Sequence, residues 1–468
     1  MAHQDDINLM AHLMRRAGFG AGRDEIETRV AKGYDATVEE LLNPNTMPAV
    51  DPYVLLRHQP AALLPGGQPP MGNVNYMYYL VNTKRPLQEK MALFWHHVFA
   101  TGNSKVDNYD QLLEQIDMFR NEGMGNYRDL LLKTAKNPTM LFWLDNNQNH
   151  GTAVNENWGR ELLELFSLGA GNYTEVDVRE CSRAFTGWTF ETKIPRLPYG
   201  RFPWKFEYRP EDHDDGIKTF LGHTGNFNGE DIIDIIVTQP ACAKFICRHL
   251  YNFFVADEAQ VPAWPIDPPR DPDAVAAMAA VFRATKGDIT SVLRTMFMSD
   301  FFKNARYKHL KSPAEVVVGT LRLMGGFEIP KPGYGELSMQ PSYMGQDLLN
   351  PPSVEGWHTG AEWINSGALM SRINFVAEQV GNTDMPGVKS IVSRLKAQGS
   401  LAPEQMVNSC LDLLGPVEVG PDTMKELTDQ VKEWGQVRWD TPANEQAAIK
   451  HTGELLQLIV ATREYQFA

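Results

Sequence analysis

The densest grouping of residues able to do chemistry is Asn155-Glu156-Asn157-Trp158-Gly159-Arg160-Glu161-Leu162-Leu163-Glu164-Leu165-Phe166-Ser167-Leu168-Gly169. Wound as a helix at about 100° per residue, it puts Trp158, Leu162, Leu165 and Phe166 on one side. Glu156, Asn157, Arg160, Glu161, Glu164 and Ser167 fall on the other. Glu156, Arg160 and Glu164 are spaced i, i+4, i+8 and can pair along the helix. A guanidinium that holds one carboxylate ionised while burial raises another creates the split that general acid/base catalysis needs. Asn155 and Asn157, at the helix start, suit capping or a polar ligand group. The plainer reading of the same face is a solvated surface with ion pairs of about 0.3–0.5 kcal/mol each.

Three further stretches carry reactive or sticky side chains. In Phe94-Trp95-His96-His97-Val98-Phe99 the two histidines are adjacent, so on a helix they diverge and cannot chelate one metal as an HxxxH pair does. His96 is the candidate ligand or catalytic group; a core role is the alternative. Glu211-Asp212-His213-Asp214-Asp215-Gly216-Ile217-Lys218, running on to Gly222-His223, resembles a calcium loop, but the twelfth position from Asp212 is His223 rather than Glu. A looser site from Asp212, Asp214, Asp215 and a histidine is the functional reading, a plain acidic loop the other. Trp188, Tyr199, Trp204, Tyr208, Trp357 and Trp363 lie in loop-like sequence near carboxylates, where rings stack on sugars or apolar ligands. There is no GxSxG elbow, Walker A loop, GxGxxG or CxxC pair.

The elements that must position these groups read as helices. Amphipathic spacing predicts helices over 7–14, 24–30, 35–42, 85–100, 107–121, 127–136, 158–168, 175–185, 231–238, 240–254, 272–284, 289–298 and 313–324, and again from 368 onward. Residues 59–72 and 330–343, rich in Pro and Gly, read as loops. Residues 191–229 lose the helical spacing and read as a long loop insertion, with a small hairpin whose first strand is 218–221 and whose turn is 222–225. Residues 261–273 carry five prolines and read as a linker. The expected fold is mainly α, a multi-helix globular array with this irregular insertion. The expected organisation is a main helical domain over 1–375, including the 191–229 insertion and a Pro-rich connection at 256–273. A C-terminal helical module over 376–468 packs on it.

Composition narrows the function classes. The 468-residue chain has a formal charge of −14, which disfavours a general nucleic-acid binder. Its 43% hydrophobic and 22% charged content is that of a globular protein. Cys181, Cys242, Cys247 and Cys410 cannot form a disulfide framework and read as small buried hydrophobes. No apolar run approaches the roughly 20 residues of a membrane span. Met1-Ala2-His3-Gln4-Asp5-Asp6 shows no signal peptide, so a cytoplasmic location is the default expectation, with export on a signal-bearing partner as the alternative.

Several segments, in order along the chain, resemble a large bacterial family catalogued as domain of unknown function 1800. They are His12-Leu13-Met14-Arg15-Arg16-Ala17-Gly18-Phe19-Gly20, Phe94-Trp95-His96 and Glu156-Asn157-Trp158-Gly159-Arg160-Glu161-Leu162-Leu163-Glu164-Leu165. Next come Phe185-Thr186-Gly187-Trp188, then His213-Asp214 with Lys218 and Gly222, and Arg248-His249-Leu250-Tyr251. The last is Asn350-Pro351-Pro352-Ser353-Val354-Glu355-Gly356-Trp357, with Trp363 and Arg372 beyond. The resemblance implies a predominantly helical bacterial protein. It also implies an association with sulfatase-like proteins that often carry twin-arginine export signals. The family more often has Asn after the first histidine; this chain has His97.

These observations lead to one expectation and two rivals. The expectation is a carboxylate-based hydrolase of a carbohydrate or glycan-like substrate. The Glu156–Glu164 face forms the floor of its cleft. His96, the Trp188 turn and the His213–Lys218 loop form the walls. Glu161 or Glu156 is the acid and another carboxylate the base or nucleophile, with Arg160 and Lys218 tuning charge; His213 and Asp214 join the catalytic set. Asn155, Asn157, Trp188, Lys218, Trp357, Trp363 and Arg372 bind substrate. No cofactor is implied. The rivals are a non-catalytic helical partner of an exported sulfatase-like protein, and a metal-dependent enzyme using His96, His213 and the carboxylates.

Overall fold

The computed structural model describes residues 4–59, 71–191 and 204–468. Among them are twenty-four α-helices and two small antiparallel sheets of two strands each, a mainly α fold. Many helices begin with a proline at the first turn, including Pro86–Val98, Pro240–Phe254, Pro272–Ala284, Pro313–Met324 and Pro442–Val460. There its missing N–H is no loss and its fixed φ suits the helix. Others start on side-chain caps. Thr174 and Asp177 close a capping box on Glu175–Ala184, and Ser312 and Glu315 do so on Pro313–Met324.

Two of the longer helices escape the amphipathic pattern, as do the short ones Pro52–His58, Asn103–Val106, Pro138–Trp143 and Asp300–Lys303. Met71–Asn82 buries residues around most of its circumference, so it shows no polar face and no period. Tyr334–Tyr343 falls where Pro and Gly predict a loop; Gly333, at φ 94°, turns the chain into it, and Pro341 sits near its end. Pro86–Val98 buries all thirteen of its residues. From it Trp95 stacks on Phe99 at 5.1 Å and Tyr127 at 5.9 Å, and its indole N–H donates to Gly123 O at 2.7 Å. One connected cluster of buried side chains runs from Ile7 to Tyr465.

The expected hairpin is present as Lys218–Phe220 paired with His223–Gly225. Its turn is tighter than the spacing suggested, because Leu221 (φ 46°) and Gly222 (φ 81°) make a two-residue left-handed turn. A second pair, Trp188–Glu191 with Lys205–Tyr208, has no counterpart in the sequence reading. The 261–273 segment is not a free linker. Trp264 is buried, its N–H donates to Ala259 O at 2.7 Å, and its ring packs on Phe245 at 5.4 Å and His249 at 4.6 Å of Pro240–Phe254. A buried indole with a partner for its N–H anchors this proline-rich stretch on the helix. No described helix is long and apolar enough to cross a membrane.

Candidate active site

The acidic helix forms as Asn157–Glu164. Asn155 Oδ1 accepts the N–H of Asn157 at 3.0 Å, while its own N–H donates to Asn149 Oδ1 at 2.9 Å. Asn157 Nδ2 reaches Asp145 Oδ2 at 3.4 Å. Both asparagines thus order the helix entry. Trp158, Leu162, Leu165 and Phe166 are buried, as the spacing predicts, and so is Leu163, which the spacing left unassigned. Gly159 lets the helix lie against Glu175–Ala184, since a Cβ there would collide with Ser182 Oγ. The helix stops short of the predicted 168. The N–H groups of Leu168 and Gly169 both bond to Leu163 O at 3.0 Å, with Gly169 at φ 79°. A Cβ on Gly169 would stand 2.8 Å from Phe245 Cδ2, so this glycine allows the close approach to Pro240–Phe254.

The charged face divides in two. Arg160 pairs with Glu175 at 3.0 and 2.7 Å and with Glu156 at 3.4 Å, all partly exposed; it does not pair with Glu164. Such surface pairs contribute about 0–1 kcal/mol. The other half turns inward. Glu164 accepts the hydroxyl of Tyr173 at 3.1 Å. Glu161 is half-buried and has no hydrogen bond or ion pair to the described residues. Burial pushes its carboxyl up to about 7, helped by the charges of Glu164 and Glu355 and opposed by Arg160.

Glu164 and Glu355 line a groove of about 570 Å³, with Leu165, Lys244, Arg248 and Trp264. Pro262, Pro265, Pro269 and Pro272 complete its far wall. Arg248 is held by Glu258 at 3.1 and 2.7 Å and lies 4.5 Å over the Trp264 ring, whereas Lys244 is exposed at the rim. The size and apolar walls with a few convergent polar groups are those of a small-molecule cleft.

The walls expected from the sequence lie elsewhere. His96 is fully buried and meets Trp357 edge-on at 5.2 Å; burial lowers its pKa to about 3, and neither ring nitrogen has a hydrogen-bond partner. His97 Nδ1 accepts the N–H of Trp357 at 3.2 Å, and burial holds it at about 4. Trp188 is a core residue whose indole donates to Asn228 Oδ1 at 2.8 Å. Trp204, Trp357 and Trp363 are also buried, and Tyr199 lies outside the described residues. The His213–Lys218 loop is fastened to Glu175–Ala184 instead. Arg183 grips Asp214 at 2.7 and 3.1 Å and pulls its pKa down to about 2. His213 Nδ1 lies 3.0 Å from Thr186 O, and the buried Lys218 ammonium donates to Asp214 O and Gly216 O. Arg372 is fully buried and donates to Lys311 O at 2.9 Å. Among the described residues, no group of three or more His, Cys, Asp or Glu is placed to hold a metal ion.

Sequence reasoning missed the groove's other half, Lys244, Trp264 and Glu355. The signals were present: Glu355 lies in the Asn350–Trp357 motif, and Trp264 interrupts the proline run. It also missed a buried ion cluster around Glu315. Oε1 accepts from Arg16 at 3.0 Å and Lys90 at 2.5 Å, and Oε2 from the Ser312 N–H at 2.7 Å, with His309 Nε2 at 3.4 Å. These cations hold the Glu315 carboxyl well below its ordinary range despite burial.

Fold and groove together define a mainly α-helical protein with a carboxylate-rimmed cleft between helix ends and a proline-rich wall. The chain belongs to the family described as protein of unknown function (DUF1800), whose model matches residues 12–467. No curated protein and no solved structure matches the chain.

Proposed function

We propose that the protein is a carboxylate-based hydrolase that works in this groove on a carbohydrate or glycan-like substrate. The observation that supports the reading is that Glu164 and Glu355 line one groove and both lie close enough for their charges to raise the Glu161 carboxyl, while Arg160 is engaged by Glu156 and Glu175. Glu161, protonated near neutrality, gives its proton to the leaving oxygen. Glu355, from a separate segment, takes a proton from the attacking water. Glu164 supplies the charge that keeps Glu161 protonated. Trp264, Phe245 and the prolines offer apolar faces to the C–H side of a sugar ring.

The test is turnover of an oligosaccharide panel by the wild type, Glu161→Gln and Glu355→Gln, with melting temperatures alongside. The expected result is a loss of about a hundredfold or more in kcat for either variant, with no fall in melting temperature. Wild-type turnover in both variants, or no turnover of any glycan by the wild type, overturns the proposal. In the rival reading, a segment of a sulfatase-like partner fills the groove. The same substitutions would then weaken a complex and leave no turnover to lose.

A further inference from the structure

A second, smaller cavity adjoins the groove through His249. The His249 ring packs on Phe245 at 4.7 Å and on Trp264 at 4.6 Å, both groove-lining residues, and itself lines the cavity. The cavity measures about 30 Å³, enough for more than one water and so for a group of a few non-hydrogen atoms. Leu93, Phe253, Trp357 and Trp363 give it apolar walls, and the exposed His358 marks its outer edge.

Its polar lining is biased towards donors, and backbone N–H groups set that bias. His97 Nδ1 accepts the Trp357 N–H at 3.2 Å, so in the neutral ring that burial enforces the proton sits on Nε2. Asn252 Oδ1 accepts the Glu258 N–H at 2.9 Å, and Gln346 Oε1 accepts the Ala314 N–H at 2.8 Å. Only an oxygen accepts there, so each amide keeps its NH2 for another partner. Ser312 Oγ accepts the Glu315 N–H at 3.3 Å and keeps its hydroxyl proton. All four side chains line the cavity, and among the described residues none of these donors meets an acceptor. The Nε2 of the buried His249 has no partner either. The carboxylate in the lining, Glu315, is taken up by Arg16, Lys90, His309 and the Ser312 N–H. Against burial and the Arg16 charge, Asp257 and Glu315 raise the His309 imidazole above its ordinary value, so the charges of His309 and Glu315 offset each other. A donor-lined space with balanced charge wants a neutral acceptor, because buried polar groups left unpaired are costly.

We propose that this cavity binds a compact neutral carbonyl group of the acetamide type. Its oxygen accepts from the donor set of His97, Asn252, Gln346 and Ser312, its amide N–H meets His249 Nε2, and its methyl group lies against the apolar walls. The proposal does not rest on the hydrolase reading, and its readout is binding rather than turnover.

Saturation-transfer NMR and calorimetric titration of the full chain with acetamide, N-acetylglucosamine, acetate and ethylammonium test it. Saturable millimolar binding of acetamide at one site per chain is expected, and none of ethylammonium, which offers donors only. N-acetylglucosamine binding in competition with acetamide shows that the group arrives as a substituent of a sugar; its exclusion, with acetamide bound, shows a free small amide. His249→Phe keeps a ring against Phe245 and Trp264 and deletes the unpartnered nitrogen. It should bind acetamide about tenfold more weakly and melt no lower than the wild type. Gln346→Glu keeps an oxygen for the Ala314 N–H and replaces the NH2 by an acceptor; it should weaken binding likewise, and serves if His249→Phe does not fold. No saturable binding of acetamide or N-acetylglucosamine, tighter binding of acetate than of acetamide, or wild-type affinity in the variants overturns the proposal.

Discussion

Replacing Glu161 by glutamine tests whether its carboxyl is held protonated by its surroundings. The folded protein raises the group from its ordinary 4.5 to about 7. Between those values the folded state binds the proton that the unfolded chain has released. Stability is therefore fully present below about pH 4.5 and falls as pH rises towards 7. At 1.36 kcal/mol per pH unit the full loss would be about 3 kcal/mol. The group is only half-buried, and screening reduces this to roughly 1–2 kcal/mol. Glutamine keeps the shape and removes the charge. Glu161→Gln should therefore melt with the wild type near pH 4.5 and above it at pH 8, by roughly 1–2 °C for a chain of this length. Calorimetric melting at both pH values measures it. A variant no more stable than the wild type at pH 8 would refute the reasoning, and with it the poised acid. A gain in stability on losing the acid is what a strained functional group produces.

Two further outcomes separate structural from reactive charge. Glu315→Gln should lower stability by about 3–5 kcal/mol in denaturant unfolding, since it strands Arg16 and Lys90 in the interior; adding Lys90→Met should recover part of that loss. Gly159→Ala should cost about 1–3 kcal/mol by forcing Asn157–Glu164 off Glu175–Ala184, and Ser182→Ala in the same chain should relieve it; equal melting of Gly159→Ala and wild type would mean the helices are not in contact.

The helical fold was legible where one face of a helix meets water, as in 107–121 and 175–185. Met71–Asn82 was invisible because its side chains are buried nearly all round, which removes the period. Prolines misled in 261–273, where Trp264 supplies the anchor. Within the site, spacing placed Glu161 and Glu164 on a shared face, and the structure sets Glu164 in the lining of the groove, with Glu161 half-buried and within reach of its charge. It also predicted an Arg160–Glu164 pair, but Glu175, from the next helix, competes for that guanidinium and binds it twice. The walls were illegible because Lys244, Trp264 and Glu355 come together only on folding. Nor does sequence say which indole is inside: Trp188, Trp357 and Trp363 stand in loop-like stretches and are all packed in the core. Nothing in the sequence marks Glu315, because its cations Arg16 and Lys90 lie far away in the chain.

The groove's proline wall has a consequence for ligand traffic. Four pyrrolidine rings fix φ at their positions before anything binds, and the opposite side is a helix end turned by Gly169. Neither side has to freeze upon a guest's arrival, so little conformational entropy is lost in forming the complex. A guest of the kind proposed would enter and leave a trough that is already formed.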